Sequence, residues 1–194
     1  VVLAMPGSGK TFVLSEKIRR ILESDILKDY QGVIAISYTR KASGHLKRKT
    51  LQDGTWEKNS FFGTIDSFCL TQIILPFGHY VIGYSKKEVV PITESDLDKD
   101  KMVDFEWINK IHPDYEVWEK LYELFKEGKV LVSSLELVAL HIIKNCHACR
   151  AHLKARFKYV FIDEFQDADT YTNGIFLELI GLGLIGNAVG DVNQ

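Results

Sequence analysis

The sequence has few of the residues that constrain a fold covalently. Its 194 residues include three cysteines and four prolines. An odd, low cysteine count excludes a secreted scaffold built on disulfides, so we expect a reducing, cytoplasmic environment. No apolar run approaches the roughly 18 residues that a membrane-spanning helix requires, and no pattern typical of a signal peptide is found. We therefore expect a globular protein that does not contact a membrane.

The sequence also lacks an excess of charge of either sign. It has 24 basic and 26 acidic residues, a formal charge of −2, and 46% of its residues are hydrophobic. This ordinary globular composition excludes a basic coat protein, so any contact with DNA or RNA must be localised. The chain starts at Val1 within an apolar run and stops at Gln194 without a helix-ending signal. We expect it to be a piece of a longer protein.

Short apolar runs alternate with segments that carry apolar residues at helical spacing. The strand-like runs are residues 1–3, 33–36, 61–64, 159–162 and 184–189, and the helical segments are residues 14–22, 39–51, 65–75 and 172–180. Alternation of this kind predicts an α/β fold in which a parallel sheet carries helices on both faces.

Between these segments the composition and the hydrophobic pattern of the sequence change. Residues 76–156 are polar and mostly helical in pattern, with an acidic stretch over 94–106 and amphipathic segments over 115–125 and 134–146. We interpret 76–156 as a helical insertion. Residues 1–75 and 157–194 would then form one domain.

A glycine-rich loop lies between the first strand and the first helix. Its two glycines allow successive backbone N–H groups to point at phosphate oxygens, and the helix that follows adds the positive end of its dipole. The lysine would contact the β and γ phosphates, and the threonine hydroxyl would bind Mg²⁺. The alternative is a glycine-rich turn that only happens to precede Lys-Thr. The nucleotide-contacting residues predicted here are Ala4, Met5, Pro6, Gly7, Ser8, Gly9, Lys10 and Thr11.

Two acids follow the apolar strand at residues 159–162. Asp163 and Glu164 would emerge at the carboxyl end of a buried strand, which is the edge where parallel sheets bind ligands. Asp163 could hold Mg²⁺, and Glu164 could orient and deprotonate an attacking water. A solvated acidic turn is the alternative.

The two motifs together resemble those of the UvrD/Rep class of superfamily 1 DNA helicases. The resemblance rests on residues 4–11 and on Ile-Asp-Glu-Phe-Gln-Asp at 162–167. Further matches, in the family's order, are Ser-Tyr-Thr-Arg-Lys-Ala-Ser at 37–43, Gly-Thr-Ile-Asp-Ser-Phe at 63–68 and Val-Gly-Asp-Val-Asn-Gln at 189–194. The sequence departs from the family's usual residues at Phe12, Arg40, Ser43 and Asp66.

The resemblance implies the first of two RecA-like, P-loop motor domains of an ATP-dependent DNA helicase or translocase, with ATP and Mg²⁺ as cofactors. By this resemblance Lys10 and Thr11 bind phosphate and metal, Asp163 the metal and Glu164 the water, while Gln194 senses the γ-phosphate. The implied partners are single-stranded DNA or its junction with a duplex, and the second motor domain of the same protein, without which we expect little activity. The implied DNA contacts are Tyr38, Thr39, Arg40, Lys41, Gly63, Thr64 and Ser67.

Two basic stretches have alternative interpretations. Residues 40–49 carry five basic side chains and no acid, beside the ring of Tyr38, and this pattern suits single-stranded nucleic acid or a solvated helix face. Residues 144–158 could line a duplex-facing surface or form a solvated helix. Cys146 and Cys149 with His152 could hold zinc, although buried or incidental cysteines are the simpler interpretation.

Two other functions are compatible with a phosphate loop. One is a kinase that transfers phosphate to a small acceptor, and the order of the five motifs argues against it. The other is a degenerate or regulatory ATP-binding module of a larger DNA repair or defence complex. The presence of Lys10, Asp163 and Glu164 argues against that module, because an inactive module has no chemical need for all three.

Overall fold

The computed structural model describes residues 2–3, 9–84, 88–97 and 115–190. These residues fall into two compact units. The first, which we call the sheet unit, lies within Val1–Phe68 and Arg150–Gln194, and the second, the helical unit, lies within Cys69–Cys149.

The boundaries of the two units lie some residues before those predicted from the sequence, at 75/76 and 156/157. On the first side, residues 69–74 pack against the helix at Leu135–Asn145 and so belong to the helical unit. On the second side, Arg150 forms a salt bridge of 3.0 Å with Glu178 and so belongs to the sheet unit. Packing therefore assigns each segment to a unit, whereas the sequence showed only a change of composition.

The strands of the sheet unit form one parallel sheet. Its strand order is β1-β7-β6-β2-β3, and every pairing is parallel. This confirms the predicted α/β class. In chain order the strands of the described residues are β1 (Val2–Leu3), β2 (Gly32–Ile36), β3 (Phe61–Gly63), β4 (Val90–Ile92), β5 (Lys129–Leu131), β6 (Phe157–Ile162) and β7 (Ile185–Gly190).

Helices connect these strands, as the periodicity predicted. No helix within the described ranges is long and apolar enough to cross a membrane. A π-helical segment, Cys69–Ile74, follows α3 directly. The α-helices are α1 (Lys10–Glu23), α2 (Arg40–Thr50), α3 (Ile65–Phe68), α4 (Leu75–Val81), α5 (Tyr115–Lys126), α6 (Leu135–Asn145), α7 (His147–Arg156) and α8 (Thr170–Gly181).

The sheet is covered on both faces because its strands are apolar on both. Leu14 and Ile18 of α1 pack in one cluster with Ala35 and Phe161, which share a face of the sheet. Residues next to these in each strand point to the opposite face. On that face a side chain at Gly186 would meet Phe176 and Ile180 of α8. This two-sided burial is typical of parallel sheets.

The helical unit also contains a small sheet that the sequence did not predict. Strands β4 and β5 pair in parallel, with Pro91 opposite Val130. Each has only three residues, which is too short for a periodic signal. The rest of the described unit is mostly helical, and Leu124 and Phe125 of α5 are buried in its core.

Gly32, the first residue of β2, provides a test of packing within the sheet unit. A Cβ at this position would lie 2.4 Å from the backbone of Asn59 and Ser60, so the chain would have to move. We expect Gly32→Ala to lower the free energy of unfolding by about 2 kcal/mol, as for other overpacked sites. Urea denaturation followed by circular dichroism measures this change.

Gly44, in the middle of α2, supplies the matched control. A Cβ there would meet only the Arg48 guanidinium, at 3.6 Å. Because alanine is the better helix former, Gly44→Ala should raise the free energy of unfolding by roughly 0.5–1 kcal/mol. Equal effects of the two substitutions would contradict the packing at Gly32.

Candidate functional site

The candidate site lies where the strands of the sheet unit end. Because all five strands are parallel, their carboxyl ends meet at one edge of the sheet, which is where ligands bind in such folds. Asp163 follows β6, Ser37 follows β2, Thr64 follows β3 and Gly190 ends β7. The strand order therefore gathers four of the five predicted motifs at this edge, and the fifth begins directly after β1.

The first turn of α1 contacts the acidic end of β6. The Thr11 hydroxyl donates a hydrogen bond to Oδ2 of Asp163 at 3.1 Å, across 152 positions of sequence. Asp163 is only 3% exposed, and its backbone N–H donates to the Ile36 carbonyl at 2.9 Å, which holds it beside β2. Gly9, just before α1, has the left-handed φ of 79° that the entry to this helix requires.

This pair of oxygen ligands fits a magnesium site. Mg²⁺ prefers hard oxygen ligands and is usually bound by one or two carboxylates together with substrate phosphates. A hydroxyl and a buried carboxylate within hydrogen-bonding distance supply that chemistry. Mg²⁺ bound in this way does not need all of its ligands to come from the protein.

Several predicted ligands of the nucleotide are not described by the structure. These predictions stay predictions. The residues concerned are Ala4, Met5, Pro6, Gly7 and Ser8, the side chain of Lys10, and Gln194.

Glu164 has a backbone conformation that is rare for a residue with a side chain. Its φ of 56° and ψ of 43° are left-handed, and such conformations are concentrated at functional sites. The side-chain amide of Gln166 donates a hydrogen bond to Oε2 of Glu164 at 2.8 Å. Gln166 therefore positions this carboxylate, a role that the sequence analysis did not identify.

Contacts on two sides hold the acidic turn in place. The ring of Phe165 packs on Phe176 of α8 at a centroid distance of 5.1 Å. From the other side, a Cβ at Gly190 would lie 2.6 Å from Oε1 of Gln166. The end of β7 therefore passes close beside the turn, and a side chain at Gly190 would displace the Gln166 amide. A glycine that ends an apolar strand was the available signal for such a close approach.

The threonines predicted to contact DNA also cap helices. The Thr39 hydroxyl accepts a hydrogen bond from the Ala42 N–H at 3.1 Å, at the start of α2. The Thr64 hydroxyl accepts one from the Ser67 N–H at 3.2 Å, at the start of α3. Both therefore have a structural role, because a cap satisfies an otherwise unpaired N–H group.

The other predicted DNA contacts differ in accessibility. Arg40 and Lys41 are exposed in the first turn of α2, whereas Tyr38 and Ser67 are partly buried. Gly63 pairs with Ile36 at the ends of β3 and β2. All of them follow or end β2 and β3, so they lie at the same edge of the sheet as Asp163.

Parts of both basic stretches are engaged within the sheet unit. Lys47 forms a salt bridge of 2.8 Å with Glu57, so it is not simply a solvated charge. Arg156 donates to the Asn59 carbonyl at 3.2 Å, and burial lowers the pKa of its guanidinium. Arg150 pairs with Glu178. Neither stretch is wholly available to a nucleic acid.

The two neighbouring cysteines are buried. Cys146 is 4% exposed, and its sulfur accepts a hydrogen bond from the Cys149 N–H at 3.4 Å. Within residues 2–3, 9–84, 88–97 and 115–190 there is no group of three or more His, Cys, Asp or Glu side chains that could hold a metal ion.

The chain is similar in sequence to known bacterial proteins. The chain is 26% identical over 186 residues to Gabija protein GajB of Bacillus cereus (strain VD045), which covers 92% of the chain and 33% of that protein. It is 23% identical to a probable DNA helicase II homolog of Mycoplasma capricolum, over 100% of the chain and 32% of that protein, and 25% identical to one of Mycoplasma pneumoniae, over 93% and 30%. The chain thus spans about a third of the length of these curated relatives.

A family model covers the chain from end to end. The UvrD/REP helicase N-terminal domain matches residues 1–103 and 94–194. These two ranges include the glycine-rich loop, the acidic turn and the helical unit. The chain belongs to the UvrD/REP helicase N-terminal domain family.

Proposed function

We propose that this chain is the first motor domain of an ATP-dependent DNA helicase or translocase, and that it binds ATP, Mg²⁺ and single-stranded DNA. The observation that carries the proposal is the 3.1 Å hydrogen bond between the Thr11 hydroxyl and the Asp163 carboxylate. Family membership supports a helicase-type function.

Thr11 and Asp163 would hold Mg²⁺ between them, together with phosphate oxygens of ATP. When bound, the ion neutralises charge on the transferred phosphate group. Lys10, next to Thr11, would contact the β and γ phosphates from the first turn of α1. Gln194 would sense the γ-phosphate.

Glu164 would orient the attacking water and accept its proton. The Gln166 amide holds one carboxylate oxygen at 2.8 Å, and this contact keeps the side chain in one orientation. Within the described residues the other oxygen has no hydrogen-bond partner, so a water can bind there. A fixed carboxylate can act on the water without first reorganising, which is the basis of efficient general-base catalysis.

Single-stranded DNA would bind along the ends of β2 and β3. Arg40 and Lys41 are exposed there and can contact phosphates, while the ring of Tyr38 can stack on a base. ATP binding would close this domain onto a second motor domain of the same protein, and phosphate release would reopen the pair. The position of the DNA contacts along the strand would shift with each ATP cycle.

The proposal is tested by ATP hydrolysis of the intact protein with and without single-stranded DNA. We expect the DNA to stimulate hydrolysis. The double substitution Arg40→Gln and Lys41→Gln should weaken DNA binding. It should also reduce the slope of the logarithm of the binding constant against the logarithm of the salt concentration by about 1.4, because two phosphate contacts are lost at roughly 0.7 each. Hydrolysis without DNA should change little.

Lys28→Gln is the matched control. Lys28 is exposed in the segment between α1 and β2, which lies at the opposite edge of the sheet. The Lys28→Gln substitution should leave the salt dependence of DNA binding unchanged. If hydrolysis does not respond to DNA, or if both variants weaken DNA binding equally, the proposed strand contact is wrong. Hydrolysis unaffected by Lys10→Ala would favour the regulatory module instead.

A further inference from the structure

The helical unit contains a cavity of about 420 Å³ that no part of the proposed ATP cycle uses. One wall is a single face of α5, and the other includes His141 of α6. The spacing of the α5 residues is that of one helix face. They are Tyr115, Trp118, Glu119, Tyr122, Glu123 and Lys126.

The aromatic part of the cavity is held in place by contacts among its own rings. The Trp118 and His141 rings lie 4.3 Å apart, and those of Trp118 and Tyr122 lie 5.7 Å apart. The Tyr122 hydroxyl is 3.2 Å from Nε2 of His141. Burial lowers the pKa of His141, which disfavours the positively charged form of this ring.

Two carboxylates flank these rings. Glu119 and Glu123 are exposed, one helical turn apart, and neither forms an ion pair with any residue that the structure describes. Neighbouring acids differ in this respect, since Glu116 pairs with Lys120 at 3.3 Å and Glu127 pairs with Lys129 at 3.2 Å.

Aromatic faces beside carboxylates are suited to organic cations. The ring quadrupole attracts a guanidinium or ammonium group, and the carboxylates add opposite charge. The same carboxylates repel phosphates, so a nucleic acid is a poor occupant even though a base could stack on the rings. Lys126, at the end of the face, leaves two acids against one base in the cavity wall.

We propose that this cavity binds a basic segment of a partner protein through its arginine or lysine side chains. From Tyr115 to Lys126 the face extends about 16 Å along the helix axis, at 1.5 Å per residue. That length exceeds a single cationic group and matches an extended stretch of about five residues. The proposal concerns the helical unit and does not depend on the ATP site.

The experiment measures binding of a labelled peptide to the intact protein by fluorescence anisotropy. The probe is an arginine-glycine repeat of about seven residues, which when extended is longer than the face. The comparison peptide replaces each arginine with glutamine. We expect binding of the arginine peptide, weakened by added salt, and no measurable binding of the glutamine peptide.

Substitutions then assign the binding to this cavity. The double substitution Glu119→Gln and Glu123→Gln should weaken the arginine peptide about tenfold, since it removes both opposite charges. Glu116→Gln, on the same helix but outside the cavity, should change affinity less than about twofold. Trp118→Leu should also weaken binding, through loss of the ring.

Four results would overturn the proposal. The first is no binding of the arginine peptide at about 1 mM, the weakest affinity of interest here. The second is equal loss in the Glu116 variant and in the double variant. The third is N-acetylarginine amide binding as tightly as the peptide, which would indicate a site for a small cation. The fourth is an oligothymidine that competes with the peptide for this cavity, which would indicate a nucleic-acid site.

Discussion

Glu164→Gln should reduce ATP turnover by the intact protein by about 10²–10⁴-fold, the range typical of a lost general base. The amide keeps the size of the side chain and can still bond to Gln166, but it cannot take a proton from water. ATP binding should change little, because Glu164 is proposed to act on the water and not on the phosphates. Steady-state turnover and equilibrium binding of a fluorescent ATP analogue measure the two effects separately.

Asp167→Asn provides the control for this prediction. Asp167 belongs to the same turn, at the end of the 3₁₀ segment Phe165–Asp167, and it is exposed. The same change of charge and shape there should leave turnover within about twofold, as for most surface substitutions. If Asp167→Asn were as damaging as Glu164→Gln, the loss of turnover would come from a disturbed turn structure and not from lost proton transfer by Glu164.

Thr11→Val and Asp163→Asn should each raise the Mg²⁺ concentration needed for half-maximal ATP hydrolysis by at least about 10-fold, because mutating even the groups that surround metal ligands typically costs about 10- to 100-fold. Valine keeps the shape of threonine but has no oxygen. Because the two side chains share one proposed ion and one hydrogen bond, the double variant should be less impaired than the sum of the single variants by about 1–3 kcal/mol. Magnesium titrations of hydrolysis by the four proteins measure this coupling.

Ser15→Ala tests whether any lost hydroxyl on α1 has the same effect. The Ser15 hydroxyl is buried one turn after Thr11 and donates to the Phe12 carbonyl at 2.8 Å. Removal of this hydroxyl should leave the Mg²⁺ concentration needed for half-maximal ATP hydrolysis unchanged. Strictly additive losses at Thr11 and Asp163 would mean that they do not bind the same ion, and the proposed magnesium site would then be wrong.

Local patterns predicted the central elements of the sheet unit. The apolar spacing of Leu14, Ile18, Ile21 and Leu22 predicted the buried face of α1, and all four side chains are buried. Continuous apolar runs predicted β2 and β6 because a strand covered on both faces has no polar side. The resemblance to UvrD/Rep helicases is likewise confirmed, by a family model that covers the chain.

Other features depend on residues far apart in the sequence. The pairing of β4 with β5 joins two short runs separated by residues 93–128, and neither run has a pattern of its own. The basic pattern of residues 40–49 gave no sign that Lys47 pairs with Glu57. The close passage of Gly190 beside Gln166 could not be predicted before the positions of β7 and the acidic turn were known.

The amino-acid sequence by itself determined the order of strands and helices and the residue types at their ends, because periodicity and turn chemistry act over a few residues. The tertiary structure decided which of these ends meet. Thr11 contacts Asp163 because β1 and β6 both pair with β7, and this shared neighbour brings α1 to the end of β6. The left-handed backbone of Glu164 also persists only because packing on both sides of the turn offsets its strain.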